Sequence, residues 1–280
     1  MKQLQKDTIN AKKVFREKGT CSRTFAYILN KEFGNSQDQY EQALDPLAGG
    51  VMRKGQQCGM LWGSVLAIGT EAYNKTNKIQ NAMYLALLST NKLMDSFVNN
   101  TQSVNCREIT GCNMDSFFGM AKYMIKVTLQ GMNNSKCFKL AEDWAPDAIK
   151  SAKEGLNQNV VENPNKKMNC AALVVEKLGA TDKEMVMVSG FAGGMGLSGN
   201  GCGALAAAIW MNSLEWVKNN PGKSAFNNPN AKATLKRFYK ESNSEILCSK
   251  ICGKKFTSIK NHSEFIENGG CNSIIEVLSQ

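Results

Sequence analysis

Hydrophobic residues recur every three or four positions along most of the chain, which is the spacing of amphipathic α-helices. The segment that opens at Cys21 carries Phe25, Ile28 and Leu29 on one face, and Gly34 follows as a natural helix stop. No segment sustains the alternation of polar and apolar residues that is typical of a strand. The sequence therefore predicts an all-α fold. The predicted helices cover 1–18, 21–33, 59–73, 79–97, 116–130, 135–156, 170–178, 203–218 and 231–239, with a short terminal helix opening at Cys271.

A glycine-rich loop that leads into a cysteine occurs twice. Residues 48–64 read AGGVMRKGQQCGMLWGS, and residues 192–208 read AGGMGLSGNGCGALAAA. The two segments align without a gap, and Cys58 falls on Cys202 at an offset of 144. Such self-similarity indicates a tandem repeat. Both copies retain the same four glycines, which are Gly49, Gly50, Gly55 and Gly59 in the first and Gly193, Gly194, Gly199 and Gly203 in the second.

Four cysteines recur in the same order in each half. Cys112 and Cys252 have no counterpart and are either extra ligands or bystanders. Residues 157–167 are polar, contain Pro164 and lack periodicity, so we predict the domain boundary there. The prediction is two homologous helical domains, 1–160 and 161–280, packed as a pseudo-dimer about an approximate two-fold axis. The recurring cysteines are Cys21, Cys58, Cys106 and Cys137, and Cys170, Cys202, Cys248 and Cys271.

Composition and charge narrow the functional classes. The 280 residues suit two domains of about 140 each. The net charge of +10 comes from scattered lysines that are not interleaved with aromatic residues, so we expect a solvated basic surface and no nucleic-acid partner. An acidic redox partner protein would suit this charge. No apolar run reaches the roughly 18 residues of a membrane span, and the polar N-terminus predicts no signal peptide, so we expect a cytoplasmic location without membrane contact.

Ten cysteines in a cytoplasmic chain should be reduced thiols that bind metal or carry out redox chemistry. Four thiolates from separate helix starts can converge on zinc or on an iron–sulfur cluster. Glycines let the backbone approach such a group, and amides at a helix N-terminus can hydrogen-bond to sulfur. The chain has no C-x-x-C spacing of the kind found in zinc ribbons and ferredoxins, and no C-x-x-C-H motif for covalent haem c.

Two other patterns predict little. The segment 194–199 matches G-x-G-x-x-G after Met185-Val-Met-Val, but the first copy has Met52 where Gly196 stands, so we expect no nucleotide. His262 is the only histidine and lies in a polar stretch, which predicts a surface residue. A single histidine also excludes the H-E-x-x-H zinc motif and disfavours nucleophilic triads.

The two glycine loops resemble the redox-active protein family named after its motif, C_GCAxxG_C_C. The core CGALAA, residues 202–207, has Ala207 in place of the final Gly, and CGMLWG, residues 58–63, has Met60 in place of Ala. The resemblance covers almost the whole chain as two tandem copies. It places the early cysteine of the motif at Cys21 and Cys170, and the later pairs at Cys106 with Cys137 and at Cys248 with Cys271.

The same domain type resembles part of the split-Soret cytochromes, which add c-type haems and an iron–sulfur centre. Because this chain lacks the haem motifs, only the iron–sulfur part of that analogy carries over. The resulting hypothesis is an iron–sulfur electron-transfer protein with four cysteines per repeat or one site shared between repeats. A thiol–disulfide oxidoreductase and a structural zinc protein stay as alternatives. Any catalysis would be an oxidoreductase reaction at the cluster. We expect Cys58 and Cys202 to be equivalent ligands.

Overall fold

The computed structural model describes residues 10–159 and 169–280. Within these ranges the chain forms α-helices and short 3₁₀ turns, with two isolated β-bridges and no β-strand. The all-α prediction is therefore confirmed. The first nine residues of the predicted leading helix lie outside the described residues, and the remainder forms a helix that Asn10 caps by accepting a hydrogen bond from the N–H of Lys13.

The helices of the first half follow the predicted periodicity closely. The two longest helices, Ile79–Thr101 and Lys136–Leu156, are amphipathic and pack face to face. The bounds are α1 (Ala11–Lys18), α2 (Cys21–Phe33), α3 (Asp38–Gln42), α4 (Gly59–Lys75), α5 (Ile79–Thr101), α6 (Cys106–Thr110), α7 (Phe117–Gln130) and α8 (Lys136–Leu156).

The second half repeats the order of α2 to α8, and its counterparts of α5, α7 and α8 are shorter. Its bounds are α9 (Cys170–Lys177), α10 (Asp182–Ser189), α11 (Gly203–Asn219), α12 (Pro229–Glu241), α13 (Cys248–Ile251), α14 (Ile259–Glu267) and α15 (Asn272–Leu278). The strand-like run Met185-Val-Met-Val lies inside α10 and is helical. Thr181 and Glu184 form a capping box at its start, and the run is buried on nearly all sides, which hides the helical period.

The two halves pack reciprocally, as a two-fold interface requires. Helix α10 packs on α4 of the first half, and its counterpart α3 packs on α11 of the second half. At the first contact a Cβ atom on Gly69 would lie 2.6 Å from Cα of Met187, so the two backbones touch. At the second contact the Trp210 indole N–H donates to the carbonyl oxygen of Tyr40 at 3.1 Å. The predicted pseudo-dimer is confirmed.

The core runs through both halves without interruption. Trp62, Trp144 and Trp210 are fully buried in it. None of the described helices is both long and apolar enough to cross a membrane. The predicted boundary segment falls largely on residues 160–168, which lie outside the described residues, and the division into 1–160 and 161–280 stays a prediction.

Candidate functional site

Each glycine-rich loop forms a left-handed turn, a conformation that L-amino acids rarely adopt over consecutive residues. Residues 49–53 all have positive φ angles between 53° and 76°, and residues 193–197 have φ angles between 60° and 79°. Gly50 and Gly194 occupy the same place in the two turns. A Cβ atom there would lie 2.6 Å or 2.7 Å from a main-chain carbonyl carbon across the turn. The turn therefore requires glycine at this position in both repeats.

Main-chain hydrogen bonds fix the second cysteine of each repeat beside the third. The N–H of Cys58 donates to the carbonyl oxygen of Val104 at 2.8 Å, and the N–H of Cys106 donates to that of Gln56 at 2.7 Å. This pair of bonds brings two distant segments of the chain together. The second half repeats both bonds, between Cys202 and Ile246 at 2.8 Å and between Cys248 and Asn200 at 2.6 Å.

The recurring cysteines lie at the starts of helices, where unpaired backbone N–H groups favour a negatively charged sulfur. The N–H groups of Gly49 and Ser22 hydrogen-bond to the Cys21 sulfur. The second half does the same with Gly193 at the Cys170 sulfur. Cys21, Cys106, Cys170 and Cys248 are the first residues of their helices, Cys58, Cys202 and Cys271 are N-caps, and Cys137 is the second residue of α8.

The thiols of the first half face one another. A hydrogen bond from the Cys58 thiol lowers the pKa of Cys21 to about 7, and the same contact raises the pKa of Cys58. Burial raises the pKa of Cys106, and the thiols of Cys21, Cys137 and Cys112 raise it further. Cys112 therefore joins the four recurring cysteines, and we call these five residues the first cysteine cluster.

Tyr123 of α7 contacts the first cysteine cluster, and no pattern in the sequence indicated this residue. Its hydroxyl group donates to Sγ of Cys137 at 3.7 Å. Burial raises the pKa of Cys137 to about 11 and raises the pKa of Tyr123 as well. The phenol therefore stays protonated at neutral pH and remains a hydrogen-bond donor to sulfur.

The thiols of the second half converge in the same way. Sγ of Cys252 lies 3.9 Å from Sγ of Cys248 and 3.5 Å from Sγ of Cys271. These two thiols lower the pKa of Cys252, while their own pKa values rise. The thiols of Cys170 and Cys202 raise the pKa of Cys271 further. These five residues form the second cysteine cluster, and the metal-ligand role of all ten cysteines stays a prediction.

The glycines predicted to bind the cofactor divide into two groups. The N–H groups of Gly49 and Gly193 hydrogen-bond to the sulfurs of Cys21 and Cys170. A Cβ atom on Gly59 would lie 2.6 Å from Sγ of Cys21, so this glycine leaves space beside the sulfur. The others allow close approach of backbone or side chains. Gly50 and Gly194 belong to the turns, a Cβ atom on Gly203 would lie 3.0 Å from the main-chain nitrogen of Ala192, and one on Gly55 or Gly199 would meet Arg107 or Ser249.

The prediction that His262 lies on the surface is wrong. Helix α14, absent from the predicted elements, buries this side chain to 1% exposure. Its ring packs edge-on against Phe256 with the ring centroids 4.9 Å apart, and Nδ1 has no hydrogen-bond partner. Burial lowers the pKa of His262 to about 4, so the imidazole is neutral. Nearby polar residues such as Asn261 and Glu264 lie on the outer face of this amphipathic helix, which explains the error.

A cavity of about 700 Å³ opens onto the first cysteine cluster. Such a volume is typical of small-molecule sites. Arg23 and Arg53 line it, and the guanidinium carbon of Arg53 lies 4.4 Å from the ring centre of Phe226, which the second half supplies. Four thiols of the cluster also line the cavity, those of Cys21, Cys58, Cys106 and Cys137.

The soft thiol donors suit an iron–sulfur cluster or a thiophilic ion such as zinc, and in the second half Sγ of Cys252 lies 3.5 Å and 3.9 Å from two other sulfurs. In the described parts of the chain no three His, Cys, Asp or Glu side chains stand close enough together to hold one metal ion. Four thiolates around one zinc ion would lie about 3.8 Å apart, given Zn–S bonds of about 2.3 Å. A cluster attaches each thiolate to a different iron and so suits more widely separated sulfurs. The soft thiols, the amide hydrogen-bond donors and the space that Gly59 leaves beside Sγ of Cys21 all agree with an iron–sulfur cluster in the first half.

Fold and site together define a helical tandem-repeat protein with one cysteine cluster in each half. A family model described as "Putative redox-active protein (C_GCAxxG_C_C)" matches residues 20–150 and again residues 163–279. The chain belongs to this family, as two tandem copies, and the resemblance found in the sequence is confirmed. The comparison with curated proteins gave no match, nor did the comparison with solved structures. The family description supports a redox function and is compatible with a metal cofactor.

Proposed function

We propose that the chain is an iron–sulfur electron-transfer protein that holds one cluster in each half. The observation that carries this proposal is the convergence of five thiols in each half, four of which lie at helix starts and some of which accept hydrogen bonds from backbone amides. Because the thiols group within each half, we favour separate clusters over one shared site. Cys112 in the first half and Cys252 in the second each add a fifth thiol to the four recurring cysteines of that half.

Each part of the site has a distinct task in this proposal. The four recurring cysteines of each half would hold the cluster, which supplies reversible one-electron transfer when bound. Backbone amides, such as that of Ser22 at the start of α2 and that of Gly49 in the left-handed turn, stabilise negative charge on sulfur. The Tyr123 hydroxyl group adds a hydrogen bond to Cys137. Hydrogen bonds to sulfur of this kind favour the more negative, reduced state of a cluster.

The cavity and the net charge indicate which partners could exchange electrons with the proposed clusters. The cavity gives a small molecule or a partner's side chain access to the first cysteine cluster. The net charge of +10 favours an acidic redox partner protein through electrostatic steering. All ten cysteines are free thiols, which suits the reducing cytoplasm.

Anaerobic purification tests the proposal directly. We expect a brown protein with visible absorption, and iron and sulfide in equal amounts that account for two clusters per chain. A colourless protein whose ten thiols all stay reactive after anaerobic reconstitution with iron and sulfide would contradict it. Zinc without iron would favour the structural zinc alternative.

A thiol–disulfide oxidoreductase is the second candidate, favoured by the contacts of Cys252. Its sulfur lies within 3.9 Å of two others and its pKa is lowered by their hydrogen bonds, so a thiolate stands close to two potential partners. In this case the metal-free protein should exchange disulfides, and Cys252→Ser should abolish the exchange. If metal-free wild type shows no exchange, this candidate is eliminated.

A further inference from the structure

The two repeats differ in the side chains that α7 and α14 bring to their cysteine clusters. Both helices begin after a capping serine, Ser116 in the first half and Ser258 in the second. The offset of 142 between these serines is also that between Cys106 and Cys248. Met120 lines the cavity beside the first cysteine cluster, and the same offset places His262 at its position in the second half. A thioether in one half is thus replaced by an imidazole in the other.

His262 is buried without a partner for one ring nitrogen. The side chain is 1% exposed, and Nδ1 makes no hydrogen bond. An unsatisfied buried polar atom costs about 1–3 kcal/mol, so native structures nearly always provide a partner. Phe256 packs edge-on against the ring and is also in contact with Phe265. Because Met120 lines the cavity together with four thiols of the first cysteine cluster, the matching position places His262 beside the second cysteine cluster. The negative charge of the Cys252 sulfur acts to raise the pKa of His262, against the larger effect of burial, which agrees with this position.

We propose that His262 is a nitrogen ligand of the metal centre in the second half, so that the two halves hold chemically different centres. This inference rests on the proposed metal-binding function. In it the Nδ1 lone pair of the neutral imidazole binds a metal ion of the centre in place of one thiolate. Replacing thiolate by imidazole removes negative charge from a centre and raises its reduction potential. The second centre is then the better electron acceptor of the two.

Isotope labelling gives an unambiguous test because His262 is the only histidine in the chain. The full chain, carrying an affinity tag without histidine, is produced with ¹⁴N-histidine or ¹⁵N-histidine, reduced anaerobically and measured by pulsed electron paramagnetic resonance. We expect a strongly coupled nitrogen whose frequencies change with the isotope. An isotope-independent spectrum overturns the proposal, as does a coupling no larger than a hydrogen bond to sulfur produces.

A second probe separates this inference from the proposed function. If the chain holds no iron–sulfur cluster, the proposed function fails, and Co²⁺ is added to the reduced, metal-free protein instead. We expect His262→Ala to shift and weaken the visible Co²⁺ bands, while Met120→Ala, the matched change in the first half, leaves the bands of the second centre unchanged. Identical Co²⁺ spectra in wild type and His262→Ala, or Co²⁺ binding that does not depend on His262, overturn the proposal.

Two further variants separate lost ligation from lost packing. His262→Phe keeps an aromatic ring against Phe256 but has no ligand atom, and we expect it to alter the second centre while the metal-free chain keeps its helical circular dichroism. His262→Cys restores a ligand as a thiolate, and we expect the centre to re-form with a reduction potential below that of wild type. Equal potentials in His262→Cys and wild type would contradict a nitrogen ligand.

Discussion

The first and second repeats share a backbone and differ in the side chains around it. The left-handed turns, the paired hydrogen bonds and the helix starts that present the cysteines recur almost bond for bond. Around that frame the first half has Met114, Met120 and Tyr123, and the second half has Phe256, His262 and Phe265 at the matching offset. The backbone therefore fixes where the sulfurs lie, and the helix over each cluster determines what else reaches them.

The two helices over the clusters also differ on their outer faces. Helix α7 leaves large apolar side chains exposed, with Phe117 and Phe118 each 83% exposed and Leu129 81% exposed. Helix α14 is shorter and presents polar residues such as Lys260 and Glu264 to solvent. The first cysteine cluster is thus covered by an apolar outer surface beside an open cavity, whereas the second cysteine cluster lies beneath a polar surface and packed aromatic rings.

The largest effect should come from removing the equivalent cysteines one at a time. Cys58→Ser and Cys202→Ser each delete a thiol at the N-cap of the central helix of one repeat. We expect each variant to lose about half of the bound iron, and to lose the spectroscopic signal of one half only. Iron and sulfide analysis of the two variants and their double mutant provides the measurement. Loss of all iron in either single variant would indicate one shared site.

The packing of the central helix offers a reciprocal test of the repeat. A Cβ atom on Gly63 would overlap the carbonyl oxygen of Ser22 and lie 2.9 Å from the nitrogen of Ala26, whereas Ala207 already carries a Cβ atom at the matching position. We expect Gly63→Ala to lower the free energy of unfolding by about 3 kcal/mol through overpacking. Ala207→Gly should cost only about 1 kcal/mol from helix propensity. Chemical denaturation measures both, and similar losses would refute the difference in packing.

Asp45 makes the first half sensitive to pH, because the matching residue of the second half is Ser189. Burial raises the pKa of Asp45 to about 6, above its unfolded value of about 3.9. The folded state then binds more protons between these values, so the free energy of unfolding falls as pH rises from 4 to 6, by about 2–3 kcal/mol. We expect Asp45→Asn to remove this fall. Chemical denaturation of the wild type and of Asp45→Asn at pH 4, 5, 6 and 7 measures this fall. The same pH dependence of the free energy of unfolding in both proteins would contradict the prediction.

The smallest effect should come from exchanging the residues at one matching position. Tyr123→Phe removes the hydrogen bond to Sγ of Cys137, and Phe265→Tyr provides a hydroxyl group at the same place in the second half. A hydrogen bond of about 1 kcal/mol corresponds to a shift on the order of 40 mV for one electron. We expect Tyr123→Phe to lower the potential of the first centre only. Redox titration monitored by electron paramagnetic resonance measures the potentials of the two centres separately. A shift in the potential of the second centre would contradict the placement of Tyr123 at the first.

The sequence predicted most of the fold because periodicity and repetition supported each other. Helices with one apolar face, such as α2 and α8, were found within a few residues of their ends. Helix α10 was not, because Met185-Val-Met-Val is apolar on nearly every side and carries no helical period. The pairing of α3 with α11 and of α10 with α4 follows from tertiary contacts that no local pattern specifies.

The sequence predicts the eight recurring cysteines as site residues, leaves the role of Cys112 and Cys252 open, and misses Tyr123 and His262. The eight recurring cysteines could be aligned, but Cys112 and Cys252 lie two positions apart in that alignment. Their side chains reach their clusters from different points, Cys252 at the end of α13 and Cys112 beyond the end of α6. Tyr123 and His262 each belong to one half only, so repetition gave no signal for either.

If the protein has the proposed electron-transfer function, the left-handed turns have a consequence for the rate of that transfer. Five consecutive residues with positive φ angles, among them the β-branched Val51, form a stiff segment held by main-chain hydrogen bonds. That segment fixes the cysteine which follows it before any cofactor binds. Sulfur atoms anchored to so rigid a backbone move little between oxidation states. A small reorganisation energy, and hence fast transfer over a given distance, is the property that such a turn confers.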